Sequence, residues 1–264
     1  MPGTSMQPGW PGMTKANMAE KPASDGERIA KVIARAGLGS RRQAETWIAE
    51  RRVSVNGAVI ASPALNVRPR DRIEVNGAPL PGKARTRLFL YNKPRGLVTT
   101  AHDERGRDTI YRCLDGAGLP WLAPVGRLDK ASEGLLLLCN DPEWAAAITD
   151  PERGPCKTYH VQIDTIPDAA LLHALAEGVD DAGEWLRARS VTLLRAGAKN
   201  AWLEVVLDEG RNRQIRRLMA ALDTNVLRLV RVAIGPLQLG DLAKGRWREL
   251  GDDEALSLAA AVAG

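Results

Sequence analysis

The chain contains no apolar run approaching the roughly eighteen residues that a membrane helix needs. Its N-terminus has no continuous apolar stretch of the kind a secretory leader carries. Cysteine is scarce: Cys113, Cys139 and Cys156 are odd in number, far apart and without C-x-x-C spacing, so neither a disulfide framework nor a zinc site is expected. His102, His160 and His173 are equally scattered and add no metal-ligand cluster. There is no internal repeat, and no Gly-rich strand–turn–helix signals a nucleotide or methyl donor. These absences describe a cytoplasmic, reduced protein with no metal, no cofactor and no membrane partner.

What is present supports a proper core. The 264 residues are 44% hydrophobic, enough for one large domain or two unequal ones. Lys and Arg total 37 against 32 acids, giving +5 and a pI near 9.3. That modest excess points toward polyanions, although charge of this size is also common in proteins that touch no nucleic acid. Residues 1–25 are rich in Pro, Gly, Met and Ser without apolar periodicity and read as a disordered tail. Residues 251–264 start acidic, turn Ala-rich and read as a second tail, at most a loose helix.

Order is expected from Glu27. Ile29, Val32, Ile33 and Ala36 fall at helical spacing, and Gly37 and Gly39 end that helix. Ser40 through Gln43 match a capping box for a second helix carrying Ala44, Trp47 and Ile48 inward. Val53 and Val55 then alternate into Asn56-Gly57, and Ile73 and Val75 into Asn76-Gly77, both tight-turn signals between short strands. Arg28, Lys31, Arg35, Arg41, Arg42 and Arg52 lie on or beside the two helices, where they either meet phosphate or simply keep the surface soluble. Residues 27–37, with Ser40-Arg41-Arg42 and Arg52 through Gly57, resemble the S4-type RNA-binding domain, which implies RNA contacts for these six cations. This module spans 26–80, and Pro79 through Thr86 read as a linker.

The remainder, 86–250, has apolar or alternating segments at 88–91, 135–139, 157–163, 188–194, 201–207 and 226–232 that read as strands. Asp141-Pro142 starts a helix, Asp168 caps another that ends at Gly178, and a third covers about 213–222. Strands outnumber helices without regular alternation, so the fold class is α+β: a small helix-rich module followed by a mixed, mostly antiparallel-sheet domain.

Within it, Gly126-Arg127-Leu128-Asp129-Lys130 forms a polar loop running straight into four consecutive leucines. A carboxylate on such a loop is held at a rigid edge, with Arg127 and Lys130 favouring its ionised form. Taken alone, such a loop Asp is more often a turn or cap residue. The stretch Gly126 through Leu138, with Lys93-Pro94-Arg95-Gly96 and Val98-Thr99-Thr100, is similar to the signature of pseudouridine synthases of the RsuA/RluB branch, with Ser132 where the pattern prefers Thr. The resemblance implies that Asp129 is the essential carboxylate and that Tyr159, in Lys157-Thr158-Tyr159, is the active-site tyrosine that stacks on the base. Read without it, Tyr159 is a half-buried strand residue and Lys157 either contacts phosphate or faces water. In Glu209 through Leu218, Arg213, Arg216 and Arg217 are expected on one helix face. The resemblance makes Arg211 the partner of Asp129; Arg127, Lys157, Arg213 and Arg216 are expected as RNA contacts on their charge, and by chemistry alone the arginines bind phosphate or stay solvated.

The implied reaction is isomerisation of a specific uridine to pseudouridine in ribosomal RNA, with large-subunit 23S RNA favoured. The partner is ribosomal RNA or a pre-ribosomal particle, met by a monomer. Asp129 attacks the sugar or the base, or stabilises an oxocarbenium-like state; the sequence leaves all three open. The competing reading is a non-catalytic RNA-binding or ribosome-assembly factor in which Asp129 is structural.

Overall fold

The computed structural model describes residues 26–82, 84–101 and 103–263; the tail expected over 1–25 and His102 lie outside them. The chain divides into two compact units, one ending at Gly82 and the other beginning at Lys83.

In the first unit, β1 (Glu27–Arg28) leads into α1 (Ile29–Arg35) and α2 (Arg41–Ala49). Ser40 caps α2: its hydroxyl oxygen accepts the Gln43 N–H at 3.1 Å, the forward half of the expected capping box. The short strands β2 (Val53–Val55), β3 (Ala58–Val59), β4 (Asn66–Val67), β5 (Ile73–Val75) and β6 (Ala78–Pro79) follow. Four of them form a sheet in the order β3-β2-β5-β6, and β4 pairs with β1. Asn56 and Gly57 take φ of 52° and 82°, and Asn76 and Gly77 take 55° and 75°. Successive positive φ values twist a two-residue turn to match its strands, which is why Asn-Gly stands at both corners. Ile29, Ile33, Ala44 and Ile48 of the helices bury against Val53, Ile73 and Val75.

The second unit contains β7 (Leu88–Lys93), β8 (Ala123–Val125), β9 (Glu133–Cys139), α3 (Pro142–Thr149), β10 (Lys157–Ile163), α4 (Ala169–Glu177), β11 (Val179–Asp181), β12 (Glu184–Leu186), β13 (Ser190–Ala196), β14 (Ala201–Leu207), α5 (Gln214–Ala220), β15 (Val226–Ile234), β16 (Leu237–Gln238), β17 (Trp247–Glu249) and α6 (Asp252–Ala263). Its large sheet runs β13-β14-β10-β15-β9-β7-β17, with β8 also on β9 and β16 on β15. Its ladders are antiparallel except the β9–β15 pair, so the expected α+β class and mostly antiparallel sheet hold.

The four leucines of β9 explain their own lack of alternation. Leu135 and Leu137 pack with Leu88 and Ile148, whereas Leu136 and Leu138 pack with Phe89 and Tyr91 on the opposite face. Both faces of β9 are covered, and each fully buried leucine contributes roughly 2 kcal/mol. Gly134 sits where β9 meets β15, at φ +98°, and a Cβ there would collide with the Arg231 main chain. Only glycine permits that approach, which brings β15 against the start of β9.

The C-terminal residues are not the tail expected from their composition. They form α6, with Asp252, Asp253 and Glu254 in its first turn, where acids suit the helix dipole. Ala255 and Leu258 are buried in the same cluster as Leu88 and Leu137. An apolar stripe carried by so few side chains is hard to see among many alanines.

Candidate active site

Asp129 stands in the connection between β8 and β9, and its loop is fixed from two directions. Lys93, the last residue of β7, is fully buried, and its ammonium donates to the carbonyls of Pro94 at 3.2 Å, Asp129 at 3.0 Å and Ser132 at 2.9 Å. Burial lowers the Lys93 pKa to about 8, against the opposing pull of Asp129 and Glu133. From the other side, the Thr99 hydroxyl donates to the Leu128 carbonyl at 2.7 Å and accepts the Leu128 N–H at 3.3 Å. The Gly96 N–H donates to the Lys130 carbonyl at 2.8 Å. A carboxylate on a loop tied at this many backbone points has little freedom to wander, as positioned chemistry requires.

Two guanidinium groups reach the Asp129 carboxylate, and both come from the region of α5. Arg213 donates through Nη1 to Oδ2 at 3.0 Å, and Arg216 brings Nε to 3.8 Å of the same oxygen. Arg216 is itself steered by the Val226 and Ala131 carbonyls, at 3.3 and 3.4 Å. Arg211, expected as the Asp129 partner, is engaged elsewhere: it pairs with Glu209 at 2.8 Å and Glu184 at 3.2 Å and donates to the Trp185 carbonyl at 2.8 Å. The reason is a single backbone conformation. β14 ends at Leu207, and after the bend and turn that follow, Arg213, the residue capping α5, is left-handed at φ 49°, with its side chain on Asp129. Arg217 does not share their direction; it pairs with Asp181 and Glu184 of the β11–β12 hairpin.

One cleft of about 880 Å³ brings together Arg127, Asp129, Lys157, Tyr159, Arg211, Arg213 and Arg216. Tyr159 on β10 is partly buried and packs against two apolar clusters, one around Val161 and Leu229 and the other around Leu136 and Leu138. Arg127 is exposed, Lys157 is half-buried, and burial together with the nearby Arg231 lowers the Lys157 pKa. The cations touching Asp129 are thus Arg213, which caps α5, and Arg216 within it, rather than the adjacent Arg127 and Lys130. Lys93 and Thr99 carry the positioning that the sequence reading gave to no residue. A lysine closing an otherwise apolar strand was the available signal for the first.

In the first unit the expected RNA contacts fall into two groups. Lys31 and Arg35 pair with Glu27 at 2.7 and 2.6 Å, Arg52 pairs with Glu50 at 2.8 Å and lies over the Trp47 ring, and Arg28 donates to the Ala64 carbonyl. Arg41 and Arg42 stand exposed in the first turn of α2.

An accessible carboxylate gripped by guanidinium groups in an arginine-lined cleft, on a chain with a second basic unit, is the equipment of an enzyme for a polyanionic substrate. The chain belongs to the RNA pseudouridylate synthase family, whose model matches residues 87–221, and an S4 domain model matches residues 27–73. It is 39% identical over 223 residues to an RNA pseudouridine synthase of Rickettsia prowazekii (strain Madrid E), covering 84% of this chain and 94% of that one. It is 37% identical to the ribosomal large subunit pseudouridine synthase B of Bacillus subtilis (strain 168), covering 89% and 96%. A crystal structure of a pseudouridylate synthase superposes with a TM-score of 0.62 at 32% identity, over 88% of this chain and all of that one. The chain is therefore a pseudouridine synthase, an isomerase that acts on RNA.

Proposed function

We propose that this enzyme isomerises a specific uridine of ribosomal RNA, in the large subunit, and that Asp129 is the carboxylate on which the reaction turns. The observation that carries the assignment is the Asp129–Arg213 contact at 3.0 Å at the mouth of the cleft, with Arg216 behind it and Tyr159 lining the same space. The ribosomal substrate is supported by the relatives named large subunit pseudouridine synthase B and by the S4 domain.

The residues divide the work by position. The guanidinium of Arg213 orients the Asp129 carboxylate, as a positioned nucleophile or base requires. Arg211, pinned by Glu184 and Glu209, takes no part in that pair. The Tyr159 ring offers a stacking surface for a uracil taken out of its stack, a step that costs a few kcal/mol and is offset by stacking and phosphate contacts. Arg127, Lys157 and, in the first unit, Arg41 and Arg42 supply cations for the RNA backbone, so binding weakens steeply with salt.

The test is to incubate wild type and Asp129→Asn with unmodified ribosomal RNA and map pseudouridine. We expect one modified large-subunit position with wild type and a loss on the order of 10³-fold or more with the variant, with RNA affinity retained. RNA binding by both proteins with modification by neither would turn the reading toward an assembly factor.

A further inference from the structure

Arg231 is a cation the reaction scheme above does not use. It lies on β15 opposite Tyr159 of β10, and cross-strand partners share one face of a sheet. Both residues line the cleft. Arg231 is only 5% exposed, its Nε donates to the Leu135 carbonyl at 2.7 Å, and its Nη2 is buried with no hydrogen-bond partner among the described residues. Among those residues no carboxylate forms an ion pair with it, in contrast to Arg213, Arg217 and Arg228. A buried donor without a partner lowers stability, and a cation raises that cost, so a group that arrives with substrate accounts for the arrangement.

Which substrate group arrives there follows from depth. A flipped nucleotide enters base first and leaves its phosphates at the rim, where Arg127 and Arg213 are exposed. A uracil stacked on Tyr159 presents its edge to the residue beside that ring. We propose that Arg231 is a further catalytic residue, whose guanidinium hydrogen-bonds a carbonyl oxygen of the target uracil and stabilises the negative charge on the base once its bond to ribose breaks. This rests on the reading of Asp129 as the reacting carboxylate.

The charge is a matter of electron counting. When the C1′–N1 bond breaks, its electron pair stays on N1 and the uracil becomes an anion, its charge shared with the ring oxygens, while the sugar carbon is held by or beside the Asp129 carboxylate. The ring then turns, C5 bonds to C1′, the C5 proton is lost and N1 takes up a proton. The product is an isomer of the substrate, and nothing is oxidised or reduced. A fixed donor in a site closed to water stabilises such a transient anion far more than it stabilises the neutral base.

The experiment measures single-turnover rate and RNA affinity side by side, on a ribosomal RNA transcript that wild type modifies, for Arg231→Gln and Arg231→Lys. Removing one preorganised donor predicts a rate lower by about 10²-fold for the Gln variant, with Kd within about twofold of wild type. The Lys variant, which keeps the charge but not the fork, is expected about tenfold below wild type. If the Gln variant melts below the assay temperature, the Lys variant decides: a purely structural guanidinium leaves the rate of the folded protein unchanged. Rates within about threefold of wild type overturn the assignment, as does a defect confined to Kd with a shallower salt slope, the signature of a phosphate contact. A fully active Arg231→Gln beside an inert Asp129→Asn sinks Arg231 alone; an active Asp129→Asn sinks the reading beneath it.

Discussion

Asp129 and Glu133 lie on one loop-to-strand segment and each faces two cations, but the two sites are built to opposite ends. Glu133 opens β9 with its side chain 4% exposed; Arg228 grips it through Nε and Nη2 at 2.8 and 3.0 Å, and Lys244 reaches it at 2.6 Å. Burial pushes the Glu133 pKa up, but the hydrogen bonds from Arg228 and Lys244 outweigh it and hold the value down at about 2. Asp129 is 31% exposed and has one close contact and one distant one, to Arg213 and Arg216. Glu133 has spent its lone pairs on the fold, whereas Asp129 keeps some facing a cleft. The number of neighbouring cations does not separate a carboxylate closed into the fold from one left open to a cleft; the accessible lone pairs do.

The comparison is tested hardest at Glu133. Glu133→Gln is expected to lower stability by about 2 kcal/mol, less than a fully buried pair would lose because Arg228 and Lys244 are themselves partly exposed. Its folded pKa lies below the unfolded value, so the carboxylate's contribution is complete above about pH 4.5 and is lost as pH falls toward 2. Wild type should therefore lose more stability over that acid window than Glu133→Gln, as read by denaturant melts at each pH. Equal acid sensitivity in both proteins would erase the distinction between the two carboxylates.

Much of this was legible beforehand, for identifiable reasons. β10 and β14 have the bounds expected for them, because Val161 and Ile163, and Leu203 and Val205, alternate inward over a half-covered sheet. The N-terminal unit was readable from its turns, since Asn-Gly announces a tight hairpin wherever it falls between short apolar strands. The cleft was legible as a set of residues but not as a set of contacts. Arg211, Arg213 and Arg216 are near neighbours in sequence, and one left-handed residue decides which of them reaches Asp129. Lys93 went unassigned because its partners are carbonyls scattered across Pro94, Asp129 and Ser132, and backbone acceptors leave no mark in a sequence.

That left-handed turn sets up the next test on the open side of the comparison. Arg213→Ala is expected to slow a single turnover roughly tenfold, about 1.4 kcal/mol, and no further because Arg216 remains near the same oxygen. Arg211→Ala should leave the rate within about twofold, since its guanidinium is occupied by Glu184 and Glu209. The reverse ranking would mean that substrate redraws the arginine pairing and that the Asp129 site is less settled than the Glu133 one.

The smallest effect lies within the Glu133 clamp. Lys244 makes a single contact from a side chain 57% exposed, whereas Arg228 makes two parallel bonds and lies over the Trp202 ring at 5.7 Å. A point charge in water adds little, and a fork fixed by an aromatic face loses less entropy on binding. Lys244→Met should therefore lower stability by about 0.5 kcal/mol and Arg228→Met by about twice that, with pseudouridine formation unchanged in both. Equal losses from the two variants, measured by chemical denaturation, would show that Glu133 is held by net positive charge and not by the geometry of one guanidinium.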